Sequence, residues 1–450
     1  MGNIYNYLNN VTRELKSETK QNLFFPFLII VLLTIPMGYA VNGIAVGLFA
    51  FISLITFKKK NFKAEANLIL PILLFLLMAA TYFWTADKAA TIRAISKVLP
   101  LLVIPVCFMI LPKLTADQKL KIIKYYSFGI VFFTIFYIAN ALFRYAATGN
   151  SHVFFYHELV TEDVNAIHVS VYVAIAFFYF FVKPFKTTID KGAMVLLAFF
   201  IILLSSKNII LVFILLILCY DLFYFRATKS IKWITILLLL ILTMTVLFSS
   251  KIRERFIIEF ESNQNERSIN EDFKTGNVYN VSVPQAWSKD RFEPNDYFAG
   301  SAFRVYQIRI FTEMLQEDPI LFTGYGLNAT NFKIEEKGIE HNVFLGDDKI
   351  EGYQKKNFHN QYVQIFAETG ILGFVLLIIM MVINLKNAIK SKDFIHISFA
   401  ILMISLFLTE SFLARQRGIV FFIIMYCIFN HKKFFLAPKI SDITNQNKLA

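Results

Sequence analysis

The chain of 450 residues is 56% apolar and only 17% charged. An ordinary soluble domain carries about 25% charged residues, so this composition excludes a soluble enzyme. The formal net charge of +13 would suggest nucleic acid in a soluble chain. In a membrane protein, a positive net charge mostly reflects the enrichment of Lys and Arg on the cytoplasmic side, so no nucleic-acid partner is implied.

Apolar runs bounded by charged or turn residues predict about twelve transmembrane helices, because about 20 helical residues cross a bilayer core. The fold class is therefore an all-α polytopic membrane protein. The polar N-terminus is followed by no small-residue cleavage site, so the first span is predicted to be a retained anchor. The spans fall near residues 23–40, 43–57, 67–84, 93–111, 122–143, 164–182, 192–206, 208–225, 231–249, 368–385, 394–410 and 416–430.

The distribution of Lys and Arg predicts the orientation. Outside one long polar segment, most of these cations fall on the side of the two termini, which places the tails 1–22 and 431–450 in the cytoplasm. Nine spans occupy 23–249 and three occupy 368–430. The segment 250–367 between the ninth and tenth spans is too long for a simple connection and is predicted to be an extracytoplasmic subdomain, here called the loop subdomain.

Within the loop subdomain, residues 262–300 are rich in Asn, Ser, Asp and Pro and are expected to be irregular. Apolar residues at helical spacing predict an amphipathic helix over 301–317, which an Asp-Pro pair stops. A second helix is predicted over 357–367, leading into the tenth span. His341 is interpreted as a residue of a flexible loop without a functional role, and Asp347 begins what is interpreted as a solvated acidic turn.

The most informative residue is His359, about two helical turns before the outer membrane boundary. An imidazole, whose unperturbed pKa is about 6.5, suits a general base acting on a hydroxyl. The alternative is an interfacial side chain without a catalytic role. Glu368, further along the same run, either belongs to the site or only complements the helix N-terminus.

Several cations lie at outer ends of spans, where the positive-inside tendency disfavours them. Each either holds an anion or is explained by snorkelling or by a carboxylate such as Glu410. These cations are Arg93, Lys97, Arg144, Lys207, Arg415 and Arg417.

A polar stripe marks the outer half of the sixth span. Thr161, Asn165, His168 and Tyr172 follow one another at i, i+4, i+7 and i+11 and should face the bundle instead of lipid. The stripe either lines a ligand pocket or makes hydrogen bonds between helices.

Several motifs carry a resemblance to a known family. One set of features resembles the signature of the O-antigen ligase and O-antigen polymerase superfamily. It consists of the run HNQYVQIFAETGILG that begins at His359, the amphipathic helix with Arg304, and the sequence PILFTGYG between them. Ser205-Ser206-Lys207 resembles the short outer Ser-x-Arg turn of that family, with Lys in place of Arg. The segments TESFLARQRGIVFF and AIHVSVYVA resemble its Bacteroidetes-type variant.

The resemblance implies a GT-C-like glycosyltransferase of the bacterial inner membrane, with a large periplasmic loop. It would move a glycan from a polyprenyl pyrophosphate, such as undecaprenyl pyrophosphate, to an acceptor hydroxyl without metal or other cofactor. His359 would be the catalytic base. The pyrophosphate would be held by Arg304, Arg415, Arg417 and Lys207, and the pocket would be lined by Asn165, His168, Tyr172, Asn360 and Glu368.

The acceptor separates the functional alternatives. A ligase of lipopolysaccharide biosynthesis would use lipid A core or protein, whereas a polymerase of O-antigen, capsule or exopolysaccharide would extend another glycan chain. A transporter or flippase is disfavoured because the spans lack carboxylates near the bilayer midplane. A scaffold for polysaccharide assembly would leave His359 replaceable.

Overall fold

A computed structural model of the protein describes residues 2–112, 114–161, 164–223, 268–269, 278–348 and 350–431. The first part of the chain is helical throughout apart from short connections. Its helices are α1 (Gly2–Gln21), α2 (Phe24–Leu33), α3 (Tyr39–Ile55), α4 (Ala66–Ala80), α5 (Lys88–Val98), α6 (Pro100–Ile110), α7 (Ala116–Thr148), α8 (Ala166–Phe181), α9 (Thr188–Leu203) and α10 (Lys207–Phe223).

The later part combines a small mixed subdomain with three further apolar helices. The strands β1 (Ser268–Ile269), β2 (Tyr279–Val281) and β3 (Asp296–Phe298) form one sheet, in which β2 pairs antiparallel with β1 and parallel with β3. The expectation that 262–300 is irregular is therefore wrong for these strands. The helices are α11 (Val283–Ser288), α12 (Gly300–Glu317), α13 (Asn331–Glu340), α14 (Gln361–Ser391), α15 (Phe394–Phe407) and α16 (Gln416–Asn430).

Four apolar stretches of the described chain are long enough to cross a membrane: Ala66–Phe83, Lys88–Ile110, Ala116–Thr148 and Gln361–Ser391. Shorter apolar helices include α2, α3, α8, α15 and α16. The predicted ninth span, 231–249, lies outside the described residues.

The predicted span 93–111 is divided into two consecutive helices. The structure contains α5 and α6 in its place, and Leu99 between them keeps helical dihedrals, with φ −51° and ψ −33°. Pro100 lacks the amide hydrogen that would continue the helical hydrogen-bond pattern, so an interruption of that pattern here is expected. The helix also begins earlier than predicted because Asp87 caps it, accepting a hydrogen bond from the Ala90 amide at 2.9 Å.

The described residues form two hydrophobic cores. The larger core fills the helix bundle, where α8 and α16 are buried along most of their length. The smaller core belongs to the loop subdomain and contains Phe298, Tyr306, Met314, Tyr353 and Phe358. Because the smaller core includes residues of α12 and of the segment just before α14, it holds these two elements of the subdomain together.

Backbone pairing joins the loop subdomain to α14. The Tyr325 amide donates to the Ala367 carbonyl at 2.8 Å, and the Ile371 amide donates to the Leu321 carbonyl at 2.8 Å. Between these bonds, Gly370 adopts a left-handed φ of 68° and interrupts the regular geometry of α14. The predicted helix over 357–367 therefore begins at Gln361 and continues, across this kink, into the tenth span.

We expect Gly370→Ala to lower the free energy of unfolding by about 1–3 kcal/mol. A Cβ at Gly370 would lie 2.3 Å from the Phe322 carbonyl oxygen, and the left-handed backbone disfavours any L side chain. Thermal unfolding of the detergent-purified protein measures the change. Gly47→Ala is the matched control because a Cβ there meets nothing within 4 Å. Equal melting temperatures for Gly370→Ala and wild type would contradict this account of the kink.

Candidate active site

His359 lies in the last turn of the chain before α14. Its backbone φ is 45°, a left-handed conformation that is uncommon for a residue with a side chain. The Asn357 side-chain oxygen accepts a hydrogen bond from the His359 amide at 3.0 Å and supports this turn. Such strain persists only where the surrounding structure fixes it, and it is concentrated at functional sites.

The residues after His359 anchor the start of α14. The Asn360 side-chain oxygen accepts hydrogen bonds from the Tyr362 and Val363 amides at 3.0 and 3.2 Å, an N-cap that explains where the helix begins. The Gln361 side chain accepts a hydrogen bond from the Leu413 amide at 2.7 Å. Asn360 thus acts on the backbone, and Gln361 ties this turn to residues 408–415, here called the α15–α16 loop.

The α15–α16 loop brings a carboxylate to His359. His359 Nδ1 lies 3.3 Å from Glu410 Oε2. The Glu410 side chain is 6% exposed and that of His359 is 31% exposed, so the carboxylate lies behind an imidazole that solvent reaches. A carboxylate at Nδ1 selects the tautomer that carries the proton there, which leaves the Nε2 lone pair as the acceptor.

Glu410 is held in its ionised form. Burial acts to raise the pKa of its carboxyl group, but the hydrogen bond with His359 and the charges of His359, His168 and Arg304 outweigh burial and bring the pKa below its usual value. A depressed carboxyl pKa means that this group stabilises the fold at neutral pH. The contribution is lost only as the pH falls through the lowered pKa, below the ordinary glutamate value of about 4.3.

Arg304 on α12 reaches the same loop. Its Nε donates to the Thr409 carbonyl at 2.9 Å, and its Nη1 donates to the Gly300 carbonyl at 2.8 Å. The preceding residue, Phe303, packs edge-on against the His359 ring with 5.6 Å between ring centroids. The predicted amphipathic helix, which begins one residue earlier than expected, therefore positions an aromatic ring beside the histidine and a cation on the loop that carries Glu410.

Lys356 is a site residue that the sequence analysis missed. Its ammonium lies 4.9 Å from the Tyr353 ring centroid and 5.8 Å from that of Phe303, the ring that also packs on His359. Burial lowers the pKa of Lys356, with Glu351 acting in the opposite direction. The spacing of Lys356 three residues before His359 was visible in the sequence, but nothing there indicated that both share one aromatic neighbour.

Arg415 opens onto a cleft of about 630 Å³ between the C-terminal end of α7 and the N-terminal end of α8, which the predicted orientation would place at the outer face. The cleft is also lined by Arg144, Thr161 and Asn165. Asn165 caps α8 by accepting a hydrogen bond from the Ile167 amide at 2.8 Å. Arg144 contacts Glu158 and its carbonyl, so the exposed Arg415 is the cation of this cleft that is better placed for an anion.

The rest of the polar stripe points into the protein. His168 is 3% exposed, and its ring centroid lies 4.2 Å from that of Phe412, a residue of the α15–α16 loop. Tyr172 is deeper still, fully buried against Phe421. His168 therefore lies near the His359–Glu410 pair, whereas Tyr172 is not among the residues lining the outer cleft.

Arg417 and Lys207 occupy the starts of two helices near this region. The Arg417 guanidinium is buried, and it lies 4.1 Å from the centroid of the Tyr39 ring. Lys207 begins α10, where the neighbouring Asn208 donates to the Thr409 side chain at 2.7 Å. Lys207 thus begins a helix that contacts the α15–α16 loop, and Arg417 lies two residues after the end of that loop.

Glu368 lies away from His359, at the joint between α14 and the loop subdomain. Its side chain is 6% exposed and accepts a hydrogen bond from Gln364 Nε2 at 2.6 Å, while its carbonyl accepts one from the Gly326 amide at 3.0 Å. Gln364 in turn accepts a hydrogen bond from Ser411 at 3.4 Å. Among the described residues, Glu368 is therefore linked to the α15–α16 loop through the hydrogen bonds of Gln364 and Ser411.

The expectation that His341 lies on a flexible loop is wrong. His341 ends α13, is 4% exposed, and its Nε2 lies 3.1 Å from Glu313 Oε2. Burial against the smaller hydrophobic core fixes the His341 side chain. The sequence did not indicate this burial, because no apolar helix follows His341. The Asp347 side chain accepts a hydrogen bond from the Ile350 amide at 2.7 Å and closes an exposed turn. This agrees with the interpretation of Asp347 as part of a solvated acidic turn.

One comparison with known proteins agrees with this geometry. Residues 192–378 match the family described as O-antigen ligase, whose members are membrane glycosyltransferase-like ligases and polymerases. The matched segment contains Lys207, Arg304 and His359, and Arg415 and Arg417 follow it. No curated protein matches the chain. The family match agrees with the resemblance drawn from the sequence over residues 192–378, and together with the apolar helices it indicates a multi-pass membrane protein.

Proposed function

We propose that this protein transfers a glycan from a polyprenyl pyrophosphate to an acceptor hydroxyl, at the periplasmic face of a bacterial inner membrane and without a metal ion. The observation that carries the proposal is the pair of His359 and the buried Glu410, 3.3 Å apart, at the edge of the loop subdomain. A nucleophile activated by a base that is itself oriented by a third group is the usual arrangement for such transfers.

The proposed step is a direct displacement. His359 Nε2 takes the proton of the acceptor hydroxyl while the hydroxyl oxygen forms a bond to the anomeric carbon. The bond from that carbon to the pyrophosphate oxygen breaks, and its electron pair leaves with the pyrophosphate. Glu410 stabilises the imidazolium that forms, because an opposite charge close by favours the protonated ring. The configuration at the anomeric carbon is inverted.

The leaving pyrophosphate gains negative charge in the transition state, and fixed cations in a partly dry site stabilise it. Arg304 and Arg415 are the two predicted cations whose placement supports this role most directly, one beside His359 and one open to the outer cleft. Arg417 and Lys207 lie on elements near the same loop and would add to the positive potential. Lys356, whose ammonium lies 5.8 Å from the Phe303 ring centroid, supplies a further charge.

A ligase that uses lipid A core or protein as its acceptor is the form we propose, since the matched family is described as O-antigen ligase. A polymerase would use the same base and the same leaving group, so the acceptor distinguishes the two. Surface glycans from a deletion strain, complemented with wild type or His359→Ala and separated by gel, test this. Long chains stranded on the lipid carrier in the His359→Ala strain are the expected result. Single repeat units on the acceptor would indicate a polymerase, and an unchanged pattern would contradict glycan transfer.

We expect Arg415→Ala to weaken use of the lipid-linked donor by about 10- to 150-fold, because a charge-assisted contact to phosphate contributes about 1.5–3 kcal/mol. The half-saturating donor concentration in a reconstituted transfer assay measures the effect, and protein yield should not change. Arg291→Ala removes another exposed arginine and serves as the control. An unchanged half-saturating donor concentration for Arg415→Ala would contradict a contact with the donor and would assign Arg415 a structural role.

A further inference from the structure

The short helix α5 has two distinct faces. One face is buried against the protein and contains Ala90, Thr91, Ala94 and Val98. The other face is exposed and carries all three of the helix's cations. Two apolar side chains, Ile92 and Leu99, are 55% and 41% exposed beside them. The cations are Lys88, Arg93 and Lys97.

The charge of this face is uncompensated in the described part of the chain. The helix contains no acidic residue, and within the described residues none of its three cations lies within salt-bridge distance of a carboxylate. The nearest acid in sequence, Asp87, uses its side chain to cap the helix. A basic face on the side of the loop subdomain is disfavoured by the positive-inside tendency, so it calls for an anionic partner.

The surroundings of α5 are those of a membrane interface. Phe83, 83% exposed, and Trp84, 41% exposed, immediately precede the helix. Aromatic residues of this kind are enriched at the level of the lipid headgroups, where Lys and Arg side chains near the end of a span also place their charges. The helix α5 forms the end of the apolar stretch Lys88–Ile110 that contacts the loop subdomain.

The helix is also fastened to the loop subdomain. The Thr91 hydroxyl donates to the Leu327 carbonyl at 2.9 Å, the Ala86 amide donates to the Tyr325 carbonyl at 2.9 Å, and Trp84 Nε1 donates to the Thr323 carbonyl at 2.9 Å. The acceptors of these bonds lie in residues 323–327, the segment that pairs with α14 after His359. A ligand held on α5 therefore acts on this segment.

We propose that α5 is a docking surface for the phosphate headgroups of anionic lipids in the outer leaflet of the membrane. Lys88, Arg93 and Lys97 contact the headgroup phosphates, and Phe83, Ile92 and Leu99 enter the upper acyl region. This surface is separate from the cations assigned to the donor pyrophosphate, and it does not depend on the proposed transfer reaction.

The test uses the full-length protein with Arg93→Gln and Lys97→Gln combined. Native mass spectrometry from nanodiscs containing phosphatidylglycerol and phosphatidylcholine counts the phosphatidylglycerol molecules retained, and titration with short-chain phosphatidylglycerol gives an affinity. Each cation near an anionic surface is worth about a fivefold change in affinity, so we expect the double variant to bind about 25-fold more weakly. The control combines Arg291→Gln with Lys355→Gln, two exposed cations of the loop subdomain.

Retention equal to wild type in the double variant would overturn the proposal. An equal loss in the control would also overturn it, because the lipid would then respond to net charge and not to α5. A second variant, Arg93→Lys with Lys97→Arg, keeps both charges and should retain wild-type binding. Loss of binding in that variant would show that the helix was disturbed and would contradict a headgroup contact through charge.

Discussion

His359→Ala should abolish glycan transfer while leaving membrane insertion and protein yield unchanged. General bases contribute about 10²–10⁴-fold to rate, and loss of the only group proposed to accept the hydroxyl proton removes that factor. The substitution introduces no new steric contact at the φ of 45°, because histidine already carries the Cβ that alanine keeps. Initial rates with reconstituted protein, lipid-linked donor and acceptor measure the loss.

His152→Ala is the matched control for this experiment, since His152 is an exposed histidine of another connection and makes no contact with the α15–α16 loop in the structure. It should retain the wild-type rate. A His359→Ala protein that transferred glycan at the wild-type rate would exclude the imidazole as the base and would favour the scaffold alternative.

Glu410→Gln should reduce transfer by about 10²–10⁴-fold. The amide keeps the size of the side chain, but it removes the charge that stabilises the imidazolium, and its NH₂ group can hold the wrong tautomer of His359. The donor's half-saturating concentration should change little, because Glu410 does not contact the pyrophosphate in this mechanism. Glu335→Gln, which neutralises an exposed acid of α13, is the control and should be neutral.

An alternative role for Glu410 is separable by the same measurement. If this carboxylate only balanced Arg304, the Glu410→Gln protein would lose stability in thermal unfolding and keep its rate per folded molecule. A full rate in folded Glu410→Gln protein would therefore contradict the proposed dyad.

Sequence reasoning captured the features that depend on local pattern. The amphipathic helix α12 and the apolar helices follow from periodicity and run length, because helix formation against a core or a bilayer requires only that the right side chains recur. The position of His359 just before an apolar helix was also visible, since Asn360 is a preferred N-cap residue.

Features that depend on tertiary contact were not accessible. Glu410 was noted only as a charge that could balance a cation, and its pairing with His359 joins residues 51 positions apart. The burial of His341 beside Glu313 depends on packing between α12 and α13. Likewise Lys356 and His359 are related through Phe303, whose ring is brought to them by the fold of the loop subdomain.

The anomeric configuration of the product tests the central claim most directly. NMR of the linkage formed by reconstituted wild-type protein, compared with the linkage to pyrophosphate in the donor, reports whether the acceptor oxygen displaced the pyrophosphate in one step. The account predicts inversion, because His359 activates the hydroxyl and no residue forms a glycosyl intermediate. A retained configuration would contradict direct displacement and assign His359 and Glu410 to a different reaction.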